Sequence, residues 1–268
     1  MKKSFGQNLL VEQIFLEKII EATKLDIDDL ILEIGAGSGL LTSRLAEKAK
    51  KVHAVEIERN ILKKLKASLT GFNNVEIIEK DILKVDLNSI FKTPFKVIGN
   101  IPYNITSKIL VKLFGDYDLP AYHLPLMKEV FLMLQLEVAE RIVAKPGTRK
   151  YGSLSLLVQY FSEPEILFNV PKESFFPIPK VNSAFVYFKV KKEVQYIKNP
   201  IGFKSLIKKA FNQRRKKVIN SLVNLGINKE ELLEVFKRFN YNSNLRAENL
   251  TFQDYLNISN ALGKPELT

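Results

Sequence analysis

The sequence predicts an α/β fold, a mostly parallel sheet covered by helices on both faces, followed by a small all-helical domain. Three observations carry this. Short apolar runs alternate with helix-like segments from about residue 30 to 190. Several of those runs end on a glycine, an acid or an amide, as parallel strands do when a site lies beyond their C-terminal ends. After about residue 192 the β-like runs stop and only helical periodicity remains. A chain of 268 residues can hold one large domain and one small one, and the change in pattern puts them at 1–192 and 193–268.

The elements follow in order. Leu30–Ile34 is a compact strand running into glycines, and Leu40–Ala49 the helix after it. Val52–Glu56 and Asn60–Leu69 repeat the pair; Val75–Glu79 is a third strand and Phe95–Gly99 a fourth, with a helix over Ser107–Phe114. Val130–Leu134, Ile166–Phe168 and Ala184–Phe188 are three more strands. Beyond them Leu222, Leu225, Leu232, Leu233, Phe236 and Phe239 are core candidates, and Tyr196–Pro200 reads as a linker. Asn228 before Lys229-Glu230-Glu231 has the form of a helix N-cap with acids in the first turn. There is no internal repeat and no low-complexity segment.

Composition excludes several classes. No apolar run approaches the roughly 18 residues of a membrane helix. Met1–Asn8 has no hydrophobic signal core, so a cytoplasmic protein is expected. With no cysteine there is no disulfide, thiolate zinc site or cysteine nucleophile, and two histidines leave little material for a metal site. The formal charge is +12, and its placement is more informative than its size. Lys189 to Lys217 holds eleven Lys/Arg and one acid, Glu193, which leaves +2 for the rest of the chain. A concentrated basic block is the footprint of a phosphate backbone. An acidic membrane surface is the competing partner, weakened because no Trp or Phe anchors line an amphipathic stripe.

The candidate chemistry sits where the strands end. Glu33-Ile34-Gly35-Ala36-Gly37-Ser38-Gly39 closes the first strand. A nicotinamide loop needs G-x-G-x-x-G, and that template puts its third glycine on Leu40 or Thr42, so it fails. The alternative is the E-x-G-x-G-x-G loop of S-adenosylmethionine binders. Glu56 ends the second strand, where a carboxylate can grip ribose hydroxyls. Asp81, beside Ile82, can accept from an adenine amino group. Asn100-Ile101-Pro102-Tyr103 follows the fourth strand. Its amide oxygen and a turn carbonyl can accept from an exocyclic amine, Pro102 stiffens the turn, and Tyr103 offers a stacking face.

By these residues the chain resembles the small-subunit ribosomal RNA adenine N6,N6-dimethyltransferases, over nearly its whole length. Ser4-Phe5-Gly6-Gln7-Asn8-Leu9-Leu10 is similar to the family's N-terminal segment, Glu137–Arg141 to its E-V-A-x-R, and Phe175–Val181 to its F-x-P-x-P-K-V. Gln213–Lys217 with Asn220-Ser221-Leu222 resembles its Q-R-R-K…N-S-L helix. Leu136, Asn182 and Leu9 depart from it, standing where Lys, an acid and Phe are usual. The resemblance implies a class I, Rossmann-like, S-adenosylmethionine-dependent methyltransferase sheet. It implies cofactor contacts on Asn8, Leu10, Gly35, Glu56, Asp81 and Asn100, and catalytic roles for Asn100, Tyr103 and Phe175, the two rings sandwiching the base. On its own residues, Asn8 reads as a helix cap, Leu10 as core, and Phe175 equally as core beside Phe176. The expected action is dimethylation of two adjacent adenosines near the 3′ end of small-subunit ribosomal RNA by a monomer working on the assembling particle. Two other readings stay open: an RNA-binding assembly factor without catalysis, and a methylase of large-subunit RNA.

Overall fold

The computed structural model describes residues 8–223 and 227–262. Ser4 to Gln7 of the N-terminal motif, and Leu225 among the core candidates, lie outside the described residues. In chain order the elements are β1 (Leu9–Leu10), α1 (Gln13–Thr23), β2 (Leu30–Ile34), α2 (Leu40–Ala46), β3 (Lys51–Val55), α3 (Arg59–Ser68), β4 (Val75–Ile78), α4 (Leu87–Ile90), β5 (Phe95–Asn100) and α5 (Thr106–Phe114). They continue with β6 (Gly115–Asp116), β7 (Leu119–Pro120), β8 (Met127–Gln135), α6 (Leu136–Ile142), α7 (Ser153–Phe161), β9 (Ser162–Val170), β10 (Phe175–Phe176) and β11 (Ser183–Val190). Four helices close the chain: α8 (Pro200–Asn212), α9 (Val218–Val223), α10 (Lys229–Arg238) and α11 (Phe252–Ala261). The chain divides into two compact units, 1–114 with 121–139 and 162–192, and 115–120 with 140–161 and 193–268.

The first unit carries a seven-stranded sheet in the order β4-β3-β2-β5-β8-β11-β9. Its first five strands pair in parallel, while β11 runs antiparallel to both neighbours. The central strands are almost continuously apolar because helices cover both faces. Glu33 in β2 and Lys96 in β5 are exceptions; the second is fully paired. The Lys96 side chain is buried, ion-paired with Asp29 at 3.0 Å and Glu129 at 3.2 Å. Its ammonium also donates to the carbonyls of Thr23 and Lys24, where α1 ends on a left-handed Lys24 with φ 42°. A buried cation thus satisfies carbonyls that a helix C-terminus leaves without partners. Beside the sheet, Leu10, Leu16, Ile19, Phe131, Met133, Phe175 and Phe185 belong to one apolar cluster.

The second unit is built on rings. Tyr117 meets Phe203 edge-on at 5.0 Å, and Phe252 lies 5.1 Å from Phe203 and 5.2 Å from Tyr160. Asn228 caps α10, its side chain accepting from the backbone N–H groups of Glu230 and Glu231. Burial along α10 falls on Leu232, Val235 and Phe236, one stripe at helical spacing. The structure corrects two core candidates here: Leu233 is off that stripe and exposed, and Phe239 is only half-buried. The segment expected as a linker ends in a helix start, where Asn199 accepts from the N–H of Gly202 with Pro200 at the first helical position. Among the described residues no helix is long and apolar enough to cross a membrane.

Candidate active site

Gly35, Glu56, Asp81 and Asn100 stand at or just past the ends of β2, β3, β4 and β5, which are consecutive neighbours in the sheet. Parallel strands that lie side by side end along one rim, so residues far apart in sequence meet there. Gly35 and Gly37 have positive φ, 79° and 56°, a conformation that favours glycine. A Cβ on Gly35 would lie 2.8 Å from the carbonyl oxygen of Asn100, and one on Gly37 would lie 2.6 Å from Leu9 Cδ2. The N–H groups of Gly35 and Ala36 donate to the Val55 carbonyl, which binds the loop to β3.

Glu56 is buried and organises this rim. Its Oε2 accepts from the N–H of Gly37 at 2.9 Å, and its Oε1 from those of Ile57 and Glu58, both at 2.8 Å. Half-buried Asp81 caps the turn after β4, accepting from the N–H of Leu83, with buried Ile82 beside it. Asn100 donates its amide Nδ2 to the carbonyl of Asn8 at 2.7 Å, which leaves Oδ1 as the acceptor end. The Tyr103 hydroxyl lies 2.5 Å from Ser183 Oγ. Burial pushes this hydroxyl above its usual pKa despite the opposing pull of Ser183, so it is neutral near pH 7.

Leu10 is buried in the apolar cluster, and half-buried Asn8 reaches the site through its carbonyl. Phe175, expected either to stack on the base or to pack in the core, is buried. It is 1% exposed in the same cluster, whereas Phe176 is 69% exposed. The cause is period-2 alternation: β10 pairs with β1, Phe175 opposite Leu10 and Phe176 opposite Leu9, so consecutive rings face opposite ways. Sequence reasoning missed Glu33 as a site residue, although it opens the glycine loop. Glu33 is 1% exposed, and its Oε2 has no hydrogen-bond partner. Burial pushes its carboxyl up to about 7; the nearby Thr42 hydroxyl favours the ionised form, and the negative charge of Glu56 opposes it. It lines a small cavity with Leu9, Leu10, Gly35, Ser38 and Asn100; an adjoining one is lined by Asn8, Gly37, Pro102 and Tyr103.

The basic block is less uniform in space than in sequence. Lys189 pairs with Glu163, and Lys204 with Asp116 and Asp118. Arg214 donates to the carbonyls of Arg149 and Tyr151 and lies 3.7 Å from Glu248. Within the second unit a cavity of about 710 Å³ is lined by Arg149, Arg214, Arg215 and Arg246 with Asn244 and Asn249. Arg149 and Arg246 come from outside the block and converge only in three dimensions.

Residues 1–264 match the family described as Ribosomal RNA adenine dimethylase. The chain belongs to the ribosomal RNA adenine dimethylase family. A relative from Fusobacterium nucleatum named Ribosomal RNA small subunit methyltransferase A is 40% identical over 261 residues, covering 96% of both chains. A crystal structure of a dimethyladenosine transferase from Plasmodium falciparum is 31% identical with a TM-score of 0.77, covering 93% of this chain and 95% of that one. The 23S rRNA methyltransferase ErmE shares the fold, with a TM-score of 0.70 at 24% identity and coverage of 96% and 100%. This dimethylase is therefore a methyltransferase enzyme with a Rossmann-like sheet, and its methyl donor is S-adenosylmethionine. The rim fits that donor. The glycine loop lines the two small cavities beside Asn100, and the orphaned Glu33 oxygen suits an ammonium group.

Proposed function

We propose that this enzyme dimethylates two adjacent adenosines near the 3′ end of small-subunit ribosomal RNA, acting as a cytoplasmic monomer on the assembling subunit. The observation that carries the chemistry is the Asn8–Asn100 hydrogen bond. With Nδ2 committed to the Asn8 carbonyl, Oδ1 is turned to receive a donor, and an adenine amino group is such a donor. Asn100 Oδ1 and the carbonyl of Ile101 accept the two N6 hydrogens, and both bonds strengthen as positive charge develops on nitrogen. Tyr103 supplies a face against the base and so contributes orientation. The bound S-adenosylmethionine supplies an activated methyl group on a sulfonium, so the chain need not supply a strong base. The methylated nitrogen then loses a proton to solvent, and a second round needs one remaining hydrogen.

In the same reading Glu56 takes ribose hydroxyls, Asp81 the adenine amine of the cofactor, Glu33 its ammonium, and Gly35, Asn8 and Leu10 form the wall. Residues 1–192 carry catalysis, and the region from 193 to 268 presents the basic surface to phosphates. The small-subunit assignment is supported by the Fusobacterium relative, far closer in sequence than ErmE. The test is methyl transfer to purified small and large subunits followed by mass spectrometry of digested RNA. Dimethyladenine confined to small-subunit RNA is expected; dimethyladenine mainly in large-subunit RNA overturns the assignment.

A further inference from the structure

We propose that the loop Phe176–Val181 is a wedge that holds the target adenine out of its stack, with Phe176 and Ile178 occupying the space between its neighbouring bases. This rests on the reading that the substrate is an adenine in RNA. An adenine whose amino group reaches Asn100 cannot stay stacked between neighbours, and apolar side chains inserted between base steps are a general means of keeping a stack open.

Three features single this loop out. First, single exposed apolar residues are ordinary, but here Phe176, Ile178 and Val181, at 69%, 61% and 43% exposure, fall within six positions. Lys180 is the loop's one charge and suits a phosphate. Second, both ends are fastened to the candidate site. Phe176 pairs with Leu9, which leans over Gly37 and lines both cavities with Asn100. At the other end Ser183 meets the Tyr103 hydroxyl. Third, the loop is held before any RNA arrives. Phe175 is anchored in the apolar cluster, Pro179 is buried, and Pro177 and Pro179 restrict φ. The Asn182 carbonyl accepts from the N–H of Leu136 at 3.0 Å, and its side chain accepts from that of Lys172 at 3.1 Å. A preformed apolar loop loses little freedom on binding, as a wedge requires.

The test uses the full-length enzyme and its Phe176→Ser and Ile178→Ser variants on small-subunit particles. A second set of particles carries splint-ligated RNA that keeps one target adenosine and has abasic nucleotides on both sides of it, the second target included. On intact RNA kcat/KM should fall by about tenfold or more in each variant, the usual effect of removing one apolar group from a binding surface. S-Adenosylmethionine affinity by calorimetry should stay unchanged, and Ile178→Leu should retain wild-type rates. With abasic flanks nothing remains to be parted, so the variants should approach wild type. Wild-type rates of both variants on intact RNA, equal losses on both RNAs, or a wild-type enzyme that needs the flanking bases would each overturn the wedge. A wild-type enzyme inactive on intact small-subunit particles would instead overturn the function on which it rests.

Discussion

Replacing Glu33 by Gln should stabilise the cofactor-free protein, and only above a definite pH. The carboxyl is 1% exposed and is pushed up to about 7 from an ordinary 4.5, chiefly by burial. Between those values the unfolded chain has lost this proton while the folded protein keeps it. Stability from this group is therefore intact below about pH 4.5 and declines as pH rises towards 7. The difference of about 2.5, at about 1.4 kcal/mol per pH unit, makes the loss about 3 kcal/mol. Gln cannot ionise, so the stability difference between variant and wild type should widen by about 3 kcal/mol from pH 4.5 to pH 8. Urea unfolding at several pH values measures this directly, since other groups titrate alike in both proteins. A difference that stays constant with pH would refute the reasoning. The cofactor's ammonium should favour the ionised form, so binding near pH 6.5 should release a proton in the wild type and none in the variant, as calorimetry in buffers of different ionisation heat would register.

Asn100→Ala should lower turnover by about 100-fold or more, while Tyr103→Ala should raise KM for RNA and leave cofactor affinity nearly intact; wild-type turnover in the former would refute the amine-binding role. Lys96→Met leaves the Asp29 carboxylate buried without its cation and should destabilise the fold by about 3–5 kcal/mol in urea unfolding; an unchanged midpoint would count against the network. Replacing Arg215, Lys216 and Lys217 by Gln should reduce the slope of log RNA affinity against log salt by roughly 0.7–0.9 for each phosphate no longer neutralised. Arg214→Gln should instead lower the melting temperature, because that guanidinium holds the Arg149–Tyr151 segment; a steep salt slope left intact by the triple variant would place the RNA elsewhere.

The legible part of this molecule was local. Strand runs, the glycine loop and a polar residue at each strand end can be read because they lie within a few residues of one another. The parallel sheet then aligns Gly35, Glu56, Asp81 and Asn100 without further information. What sequence did not reveal depends on distant partners. Phe175 and Phe176 are chemically alike, and only pairing with Leu9 and Leu10 decides which ring is buried. Glu33 is a core position by pattern; its missing partner is a property of space. Arg149 and Arg246 look like scattered surface charges until the second unit folds them round one cavity. The reversal of β11 was hidden because an apolar strand reads the same in either direction.

The hydrogen bond from Asn100 to the Asn8 carbonyl also bears on which nucleobases are turned away. An amide free to rotate would present its NH2 to a carbonyl as readily as its oxygen to an amine. This one is pinned. Guanine or hypoxanthine in the same position would bring a six-position oxygen against Oδ1 and the Ile101 carbonyl, lone pairs facing lone pairs. Sites that require a donor from the substrate reject analogues without it by about 10⁴–10⁵-fold. On the proposed reading, misreading a guanosine would be suppressed by a carbonyl ninety-two residues away in the chain.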